Sequence, residues 1–459
     1  MYRMICMLLA GFFWLGTSQI MAQEGDQNQD SEMRLNLEET VETGLERNPR
    51  IQGAEFGIKS SQAEVKSSRG QFLPRASASY SRSYMDSIRS TGQTDDDYLD
   101  QTQDTWTLSV VQTLFAGKTI LNSYQIAKIE EESSRVEKEA AERELIQEIQ
   151  KQFLQLLKIR EDRRSLEDTI ERLQVGRDAA QAFHEKQLAP FVEVLQAEVD
   201  LEDAKQELSR AKNEETIRET RLNRLLDYEA QRRIDYQGNL EDIHLEQDFQ
   251  VETCLQEAKE QRTELEFVEN NMQIAAKEKE IALGRLMPRV ELEASYVDRA
   301  SDYDQKGTTT NPMTGEEQTY DRDKQNQYWT AGINVEWQFF SGGQQYYRRQ
   351  SMEHEVQRLR RVYQDTVSEI ATEVRSAFLR LQEARERVEA SRKTLETAQE
   401  NYEMQEERFK RRVSTIQDLL NAQDRLTRSD ANHNQALLDF QLALSELYFA
   451  MGERNYALR

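Results

Sequence analysis

The segment Leu114-Phe115-Ala116-Gly117 returns as Phe339-Phe340-Ser341-Gly342, at an offset of 225 in residue number. The same offset then holds without a gap over most of the following helical pattern, so that Leu195, for example, returns as Leu420. Self-similarity at a fixed spacing is the signature of a repeated structural unit. The chain therefore contains two copies of one fold unit.

A second offset applies ahead of these segments. Leu73-Pro74-Arg75 returns as Met287-Pro288-Arg289, at an offset of 214, which is smaller by 11 than the offset of 225 behind them. The whole difference lies between Pro74 and Gly117 in the first copy. Exposed loops tolerate insertions that packed helices do not, so the variable part is a loop between two strands.

Four segments alternate apolar and polar residues with the period of a strand, and each is about ten residues long, enough for a tilted strand to cross a bilayer. A barrel with lipid outside and water inside explains this pattern. The alternative is a soluble antiparallel sheet packed on one face. The apolar series are Ala76, Ala78, Tyr80 and Tyr84; Trp106, Leu108, Val110 and Leu114; Val290, Leu292, Ala294 and Tyr296; and Trp329, Ala331, Ile333, Val335, Trp337 and Phe339.

Aromatic rings in these strands are expected at the membrane–water interface, where an amphipathic ring is half solvated. They are Tyr80, Tyr84, Trp106, Tyr296, Trp329, Trp337 and Phe339.

Four strands cannot close a barrel, and open sheet edges do not survive in lipid. Identical partners must complete the barrel, which predicts a ring-shaped homo-oligomer.

Helical pattern fills most of the remaining chain. Residues 117–186 lack proline and predict a rod of roughly 100 Å at about 1.5 Å per residue. Narrow apolar stripes with heptad-like spacing, such as Leu195 and Val199, indicate helices packed sideways as in coiled coils. The alternative, a coiled-coil scaffold, explains the helices but not the strands.

The predicted organisation is two repeats, at residues 37–229 and 249–452, joined by a segment at 230–248. A signal peptide (1–22) and a linker (23–36) precede them, and a tail (453–459) follows. Repeat 1 is predicted to contain a helix at 37–70, strands at 73–85 and 104–116, and helices at 117–186 and 190–227. Repeat 2 is predicted to contain a helix at 249–285, strands at 288–299 and 328–341, and helices at 344–412 and 415–451.

The N-terminus has the layout of a secretory signal: Arg3, an apolar run over residues 4–15, and a small residue at Ala22. An uncleaved anchor is the alternative. Removing the signal leaves Cys254 as the one remaining cysteine, so no intramolecular disulfide is expected.

Composition narrows the function. The net charge is -24, which argues against nucleic acid as a partner and favours cations near the protein. The mean hydropathy of -0.84 would also fit disorder, but 16 Phe, 17 Tyr and sustained periodicity argue against it. No catalytic constellation, metal-ligand spacing or cofactor motif is present, so neither an enzyme nor a cofactor is expected.

Taken together, the signal, tandem repeat, strand pairs and long helical hairpins resemble the TolC-like outer membrane efflux proteins. The resemblance covers residues 35–452. Its most specific pieces are Asn48-Pro49-Arg50-Ile51, the prolines Pro74 and Pro288, and the paired segments 192–197 and 417–422.

The resemblance implies a mainly helical homotrimer with a twelve-stranded barrel in outer-membrane lipid and a helical barrel crossing the periplasm. Such a protein is a passive exit duct, supplied by a periplasmic adaptor and an inner-membrane pump. The alternative function is an exported periplasmic coiled-coil scaffold without channel activity. The same fold serves small-molecule efflux and protein secretion, and the sequence does not decide between them.

The resemblance also assigns roles at the two helix turns. Family members commonly carry glycine where Gln187 and Arg412 stand. Candidate adaptor contacts are Leu188, Ala189, Pro190, Phe191, Val413, Ser414, Thr415 and Ile416. Candidate gate residues are Glu193, Asp418 and Asn421, the last standing where some members have aspartate. Glu193 and Asp418 have an alternative role as acids that suit a helix N-terminus.

Overall fold

The computed structural model describes residues 33–90, 96–241, 249–303, 307–310, 313, 317–320 and 324–453. The predicted signal peptide, residues 23–32 of the linker and the tail after residue 453 lie outside the described residues. None of the helices in these ranges is both long and apolar enough to cross a lipid bilayer.

Both repeats share one order of main elements: two helices, two long strands and two long helices. Repeat 1 and the segments that flank it contain β1 (Met33–Leu35), α1 (Leu37–Arg47), α2 (Pro49–Gly70), β2 (Arg75–Ser90), β3 (Asp96–Phe115), α3 (Thr119–Glu185), α4 (Phe191–Leu225) and β4 (Ile234–Tyr236). Repeat 2 contains α5 (Val251–Gln261), α6 (Thr263–Gly284), β5 (Arg289–Tyr303), β6 (Gly307–Thr310), β7 (Glu317–Tyr320), β8 (Lys324–Glu336), α7 (Gln344–Lys410) and α8 (Ile416–Met451).

The offset of 225 reappears in the backbone. Eight described residues have a left-handed backbone conformation, and they form four pairs separated by this offset. All four pairs lie at or next to helix ends, where the chain must turn sharply. The pairs are Gly117 and Gly342, Lys118 and Gly343, Gln187 and Arg412, and Asp227 and Gly452.

The main sheet is antiparallel, with the strand order β2-β3-β5-β8. On one face, the rings of Tyr80 and Trp106 lie 4.8 Å apart, and those of Tyr296 and Trp329 lie 4.9 Å apart. The opposite face is polar, with cross-strand hydroxyl contacts such as Ser77 to Ser109 at 2.8 Å. Within the described residues, the outer edges of β2 and β8 pair with no other strand.

The helix ahead of each strand pair is broken, which differs from the single helices predicted at 37–70 and 249–285. At Asn48 the side chain accepts from the Arg50 amide at 2.9 Å and donates to the Leu225 carbonyl at 2.8 Å. At the equivalent Arg262 the guanidinium donates to the Ala450 carbonyl at 3.3 Å. Leu225 and Ala450 are separated by the offset of 225 and therefore occupy equivalent positions. Two unlike side chains, an asparagine and an arginine, thus anchor the two breaks at equivalent carbonyls.

The strands also differ from their predicted bounds. β2 and β3 extend further towards their connecting loop, whereas β8 ends at Glu336 instead of residue 341. Its neighbour β5 begins at Arg289, which pairs with Glu336, so no ladder partner exists beyond that point. Trp337 and Phe339 therefore lie outside the strand, and the Trp337 indole N–H donates to the Leu286 carbonyl at 3.1 Å.

Two cores hold the helices together. The larger core lies around the middle of α3, where Phe153 packs edge-on against Tyr236 of β4 with ring centroids 6.1 Å apart. The parallel pair β1–β4 belongs to this core and was not predicted. Cys254 is a buried core residue. The smaller core lies near the turns that join α3 to α4 and α7 to α8.

Candidate functional site

Two helix turns, at residues 186–190 and 411–415, close in the same way. In the first turn, the amides of Gln187 and Leu188 donate to the carbonyls of His184 and Phe183 at 2.7 and 2.8 Å. In the second turn, the amides of the equivalent Arg412 and Val413 donate at 2.9 and 2.8 Å to Phe409 and Arg408.

Gln187 and Arg412 hold φ values of +60° and +62°, the region that glycine adopts most readily. Each therefore bears a steric cost of roughly 1–2 kcal/mol, because its Cβ approaches the following carbonyl. Both turns therefore keep a left-handed backbone without glycine.

The helices that follow the turns begin differently. Thr415 caps α8: its hydroxyl accepts from the Asp418 amide at 3.2 Å, and the Asp418 carboxylate accepts from the Thr415 amide at 3.0 Å. The Thr415 backbone amide and hydroxyl hold the pKa of Asp418 below its usual value. At the first turn Pro190 stands in the place of Thr415, and proline has neither an amide N–H nor a hydroxyl. The reciprocal cap cannot form there.

This difference separates the gate candidates. Asp418 is occupied with capping, as the alternative role expected. Its counterpart Glu193 is half-buried and makes no side-chain hydrogen bond or ion pair with any described residue. The Asn421 side-chain oxygen accepts from Gln417 at 3.2 Å. Glu193 is therefore the candidate whose carboxylate is available for another partner.

The candidate adaptor contacts differ in how far they are exposed. Leu188 and Val413 occupy equivalent positions at the turns and are 53% and 65% exposed. Ile416, in contrast, is only 2% exposed and packs in the smaller core, so its predicted place on an exposed tip is wrong. Its side chain points inward because it begins the buried stripe of α8. Among the other candidates, Pro190, Phe191 and Thr415 are exposed, and Ala189 and Ser414 are half-buried.

Aromatic packing also distinguishes the turns. The His184 ring N–H donates to the Ala189 carbonyl at 3.0 Å, and its centroid lies 5.2 Å from the exposed Phe191 ring. The counterpart of His184 is Phe409, which is buried against Phe183 with centroids 5.5 Å apart. The first turn is therefore open and apolar, whereas the second is closed over a core.

A model of the outer membrane efflux protein family matches residues 41–227 and 254–453. The chain belongs to the outer membrane efflux protein family. Each of the two matched segments covers one repeat, so the predicted family and the predicted tandem repeat are confirmed. A comparison with curated proteins finds no match.

Solved outer-membrane channels share the fold of this efflux protein. The outer-membrane channel OprN is 16% identical, with a TM-score of 0.75 over 91% of this chain and 89% of that chain. VceC from Vibrio cholerae is 16% identical, with a TM-score of 0.71 over 91% and 96% of the two chains. The Campylobacter jejuni channel CmeC is 17% identical, with a TM-score of 0.72 over 91% and 85%.

The chain carries an apolar surface on α4 that the sequence analysis assigned to helix packing in general and not to a functional site. On α4, Leu195 and Val199 are 48% and 55% exposed and continue from Leu188 and Val192 at spacings of four, three and four. This is the a/d spacing of a coiled coil, which would have identified a seam with a partner helix. The equivalent Leu420 on α8 is only 5% exposed.

The family and the structural neighbours are channel proteins. Within the described part of the chain, no group of three His, Cys, Asp or Glu side chains is placed to hold a metal ion. Three surface features of the described residues bear on function: the two-faced sheet, the exposed turns and the uncovered stripe of α4.

Proposed function

We propose that this protein is the outer-membrane exit duct of a tripartite export system and conducts its substrates passively. The open, two-faced sheet carries this proposal. Its apolar face suits lipid and its polar face suits a water-filled lumen. Because unpaired strand edges do not survive in lipid, β8 of one copy pairs with β2 of the next. Three copies then close a barrel of twelve strands.

The long helices extend this barrel into the periplasm. α3 and α7 each contain 67 residues, which gives a length of roughly 100 Å. Both turns lie at the far end of these helices from the sheet. A duct of this length spans much of the space between the two membranes of the cell.

The turns face the periplasmic partners. Leu188 and Val413 are exposed apolar residues in both repeats, which suits contact with an adaptor protein coupled to an inner-membrane pump. Glu193 lies close behind the first turn with its carboxylate unengaged among the described residues, which suits a resting gate contact with a neighbouring copy. Phe191, Ala189, Pro190, Ser414 and Thr415 surround these positions.

Cell fractionation tests the proposal. We expect the protein in the outer-membrane fraction, and we expect a trimer on gels of unheated samples that converts to a monomer after boiling. A soluble monomer in periplasmic extract would instead support the exported coiled-coil scaffold. The readout needs no knowledge of the substrate.

A further inference from the structure

We propose that helix α4 of one copy occupies the groove between α7 and α8 of the neighbouring copy, with its Glu198 in a basic pocket formed by Lys393 and Arg425. The inference rests on the proposed trimer and adds the residues that form its helical seam. It also predicts an ion pair at this seam, whereas the corresponding seam inside each chain has the uncharged Gln423 in the place of Glu198.

The chain contains an occupied version of this groove. α8 lies in the groove formed by α3 and α4, where the Thr169 and Thr427 hydroxyls are 3.1 Å apart. Arg172 donates to the side-chain oxygen of Gln423 at 3.0 Å. Leu173 and Leu420 meet in the smaller core. These contacts join the two repeats of one chain.

The equivalent groove of repeat 2 is empty. Thr394, Thr397 and Ala398 on α7 are the counterparts of Thr169, Arg172 and Leu173, and with α8 they line an open groove of about 850 Å³. α7 buries far fewer of its side chains than α3, although the two helices are equally long. Repeat 2 therefore lacks the neighbours that repeat 1 finds in its own chain.

The helix that should enter this groove is also identified by the offset. The counterpart of α8 is α4, and its uncovered Phe191 and Leu195 correspond to the buried Ile416 and Leu420. Within one chain α4 packs along its hairpin partner α3, whereas α8 packs along both α7 and α3. A second copy supplies the missing helix, which fits a closed ring.

The charges in the groove and on α4 favour a second copy of this chain as the partner. The groove of repeat 2 carries Lys393 and Arg425, where repeat 1 has Asp168 and Asp200. The entering helix changes in the complementary sense, because Glu198 stands where α8 has Gln423. Within the described residues, the side chains of Lys393, Arg425 and Glu198 make no ion pair.

A second acid lies one turn further along α4. Glu202 is the counterpart of Thr427 and is paired with Lys205 of its own helix at 2.7 Å. On the groove side, Arg428 is paired with Asp424 at 3.0 Å. Both of these pairs are exposed and weak, so they do not prevent new pairing across the seam.

Disulfide trapping tests the seam. In a Cys254→Ser background, Glu198→Cys with Thr394→Cys is expected to give covalent dimers and trimers on denaturing, non-reducing gels. The matched control is Thr169→Cys with Gln423→Cys, whose parent side chains lie 3.5 Å apart within one chain. The control is expected to form its disulfide and remain monomeric on the same gel.

Three outcomes separate the two proposals. If trimers assemble and the control disulfide forms but Glu198→Cys with Thr394→Cys does not join copies, the seam is wrong and the duct proposal stands. Cross-linking to another protein in place of a second copy also overturns the seam. If no trimer assembles from the unmodified chain, the proposed function fails.

A charge swap provides an independent measurement. At low salt, where charge interactions are least screened, Glu198→Lys is expected to lower the temperature at which trimers dissociate, and adding Lys393→Glu is expected to restore it. Restoration requires the two side chains to be close, which a general folding defect would not produce. An equal defect in the single and double variants would contradict the seam.

Discussion

Replacing Leu108 with arginine is expected to abolish assembly of the protein in the outer membrane. Leu108 lies on the apolar face of the sheet, opposite Ala78 on β2 and Tyr296 on β5. An arginine facing lipid near the bilayer midplane costs about 2–4 kcal/mol. Three copies add this cost three times in one barrel, which is comparable with the whole stability of many proteins. Membrane fractionation and the trimer band on unheated gels measure the loss.

The neighbouring Ser109 provides the matched control. Its side chain points to the opposite, polar face and hydrogen-bonds to Ser77. Ser109→Arg therefore places the same charge in the water-filled lumen and is expected to leave the trimer intact. Equal loss of the trimer in both variants would contradict the assignment of one face to lipid and the other to water.

Placing glutamate at both Leu188 and Val413 is expected to reduce export by at least about tenfold while the trimer stays intact. Both side chains are exposed, so the substitutions remove no core packing. If they contact an adaptor, two buried carboxylates would cost more than the free energy, about 1.4 kcal/mol, that corresponds to a tenfold loss of affinity. Export is measured as the resistance or secretion conferred in cells, alongside the amount of trimer.

The control for the turns is Ile416→Asp. Ile416 is buried in the smaller core, and a charge there removes apolar packing and leaves a carboxylate without water. We expect a loss of about 3–5 kcal/mol and failure to form the trimer. Loss of the trimer in the glutamate variant would contradict the exposed position of Leu188 and Val413. Normal trimers with Ile416→Asp would contradict the buried position of Ile416.

Much of the fold could be predicted because the spacing between the two repeats is constant along their long helices. The offset of 225 located the turns at Gln187 and Arg412, and the structure gives both the same left-handed backbone. The break at Asn48 had a local signal in the following proline. The equivalent break at Arg262 had none, because it depends on a hydrogen bond to Ala450 from a distant helix. The end of β8 likewise depends on where β5 begins.

Less of the candidate site could be predicted. Phe191 and Ile416 occupy equivalent positions and are both apolar, so residue type alone does not separate them. Their exposure differs because α3 covers α8 within the chain and no described residue covers α4 in the same way. Glu193 and Asp418 also look alike until the residue three positions earlier is considered. Threonine at that position engages Asp418, and proline leaves Glu193 unengaged.

Single-channel recording from purified trimers in planar lipid bilayers tests the central claim most directly. An exit duct should give stepwise conductance. With a net charge of -24 on the chain, it should prefer cations, so that a salt gradient displaces the reversal potential towards that of the cation. Folded trimers that insert without conductance steps, or that pass cations and anions equally, would contradict an acidic duct.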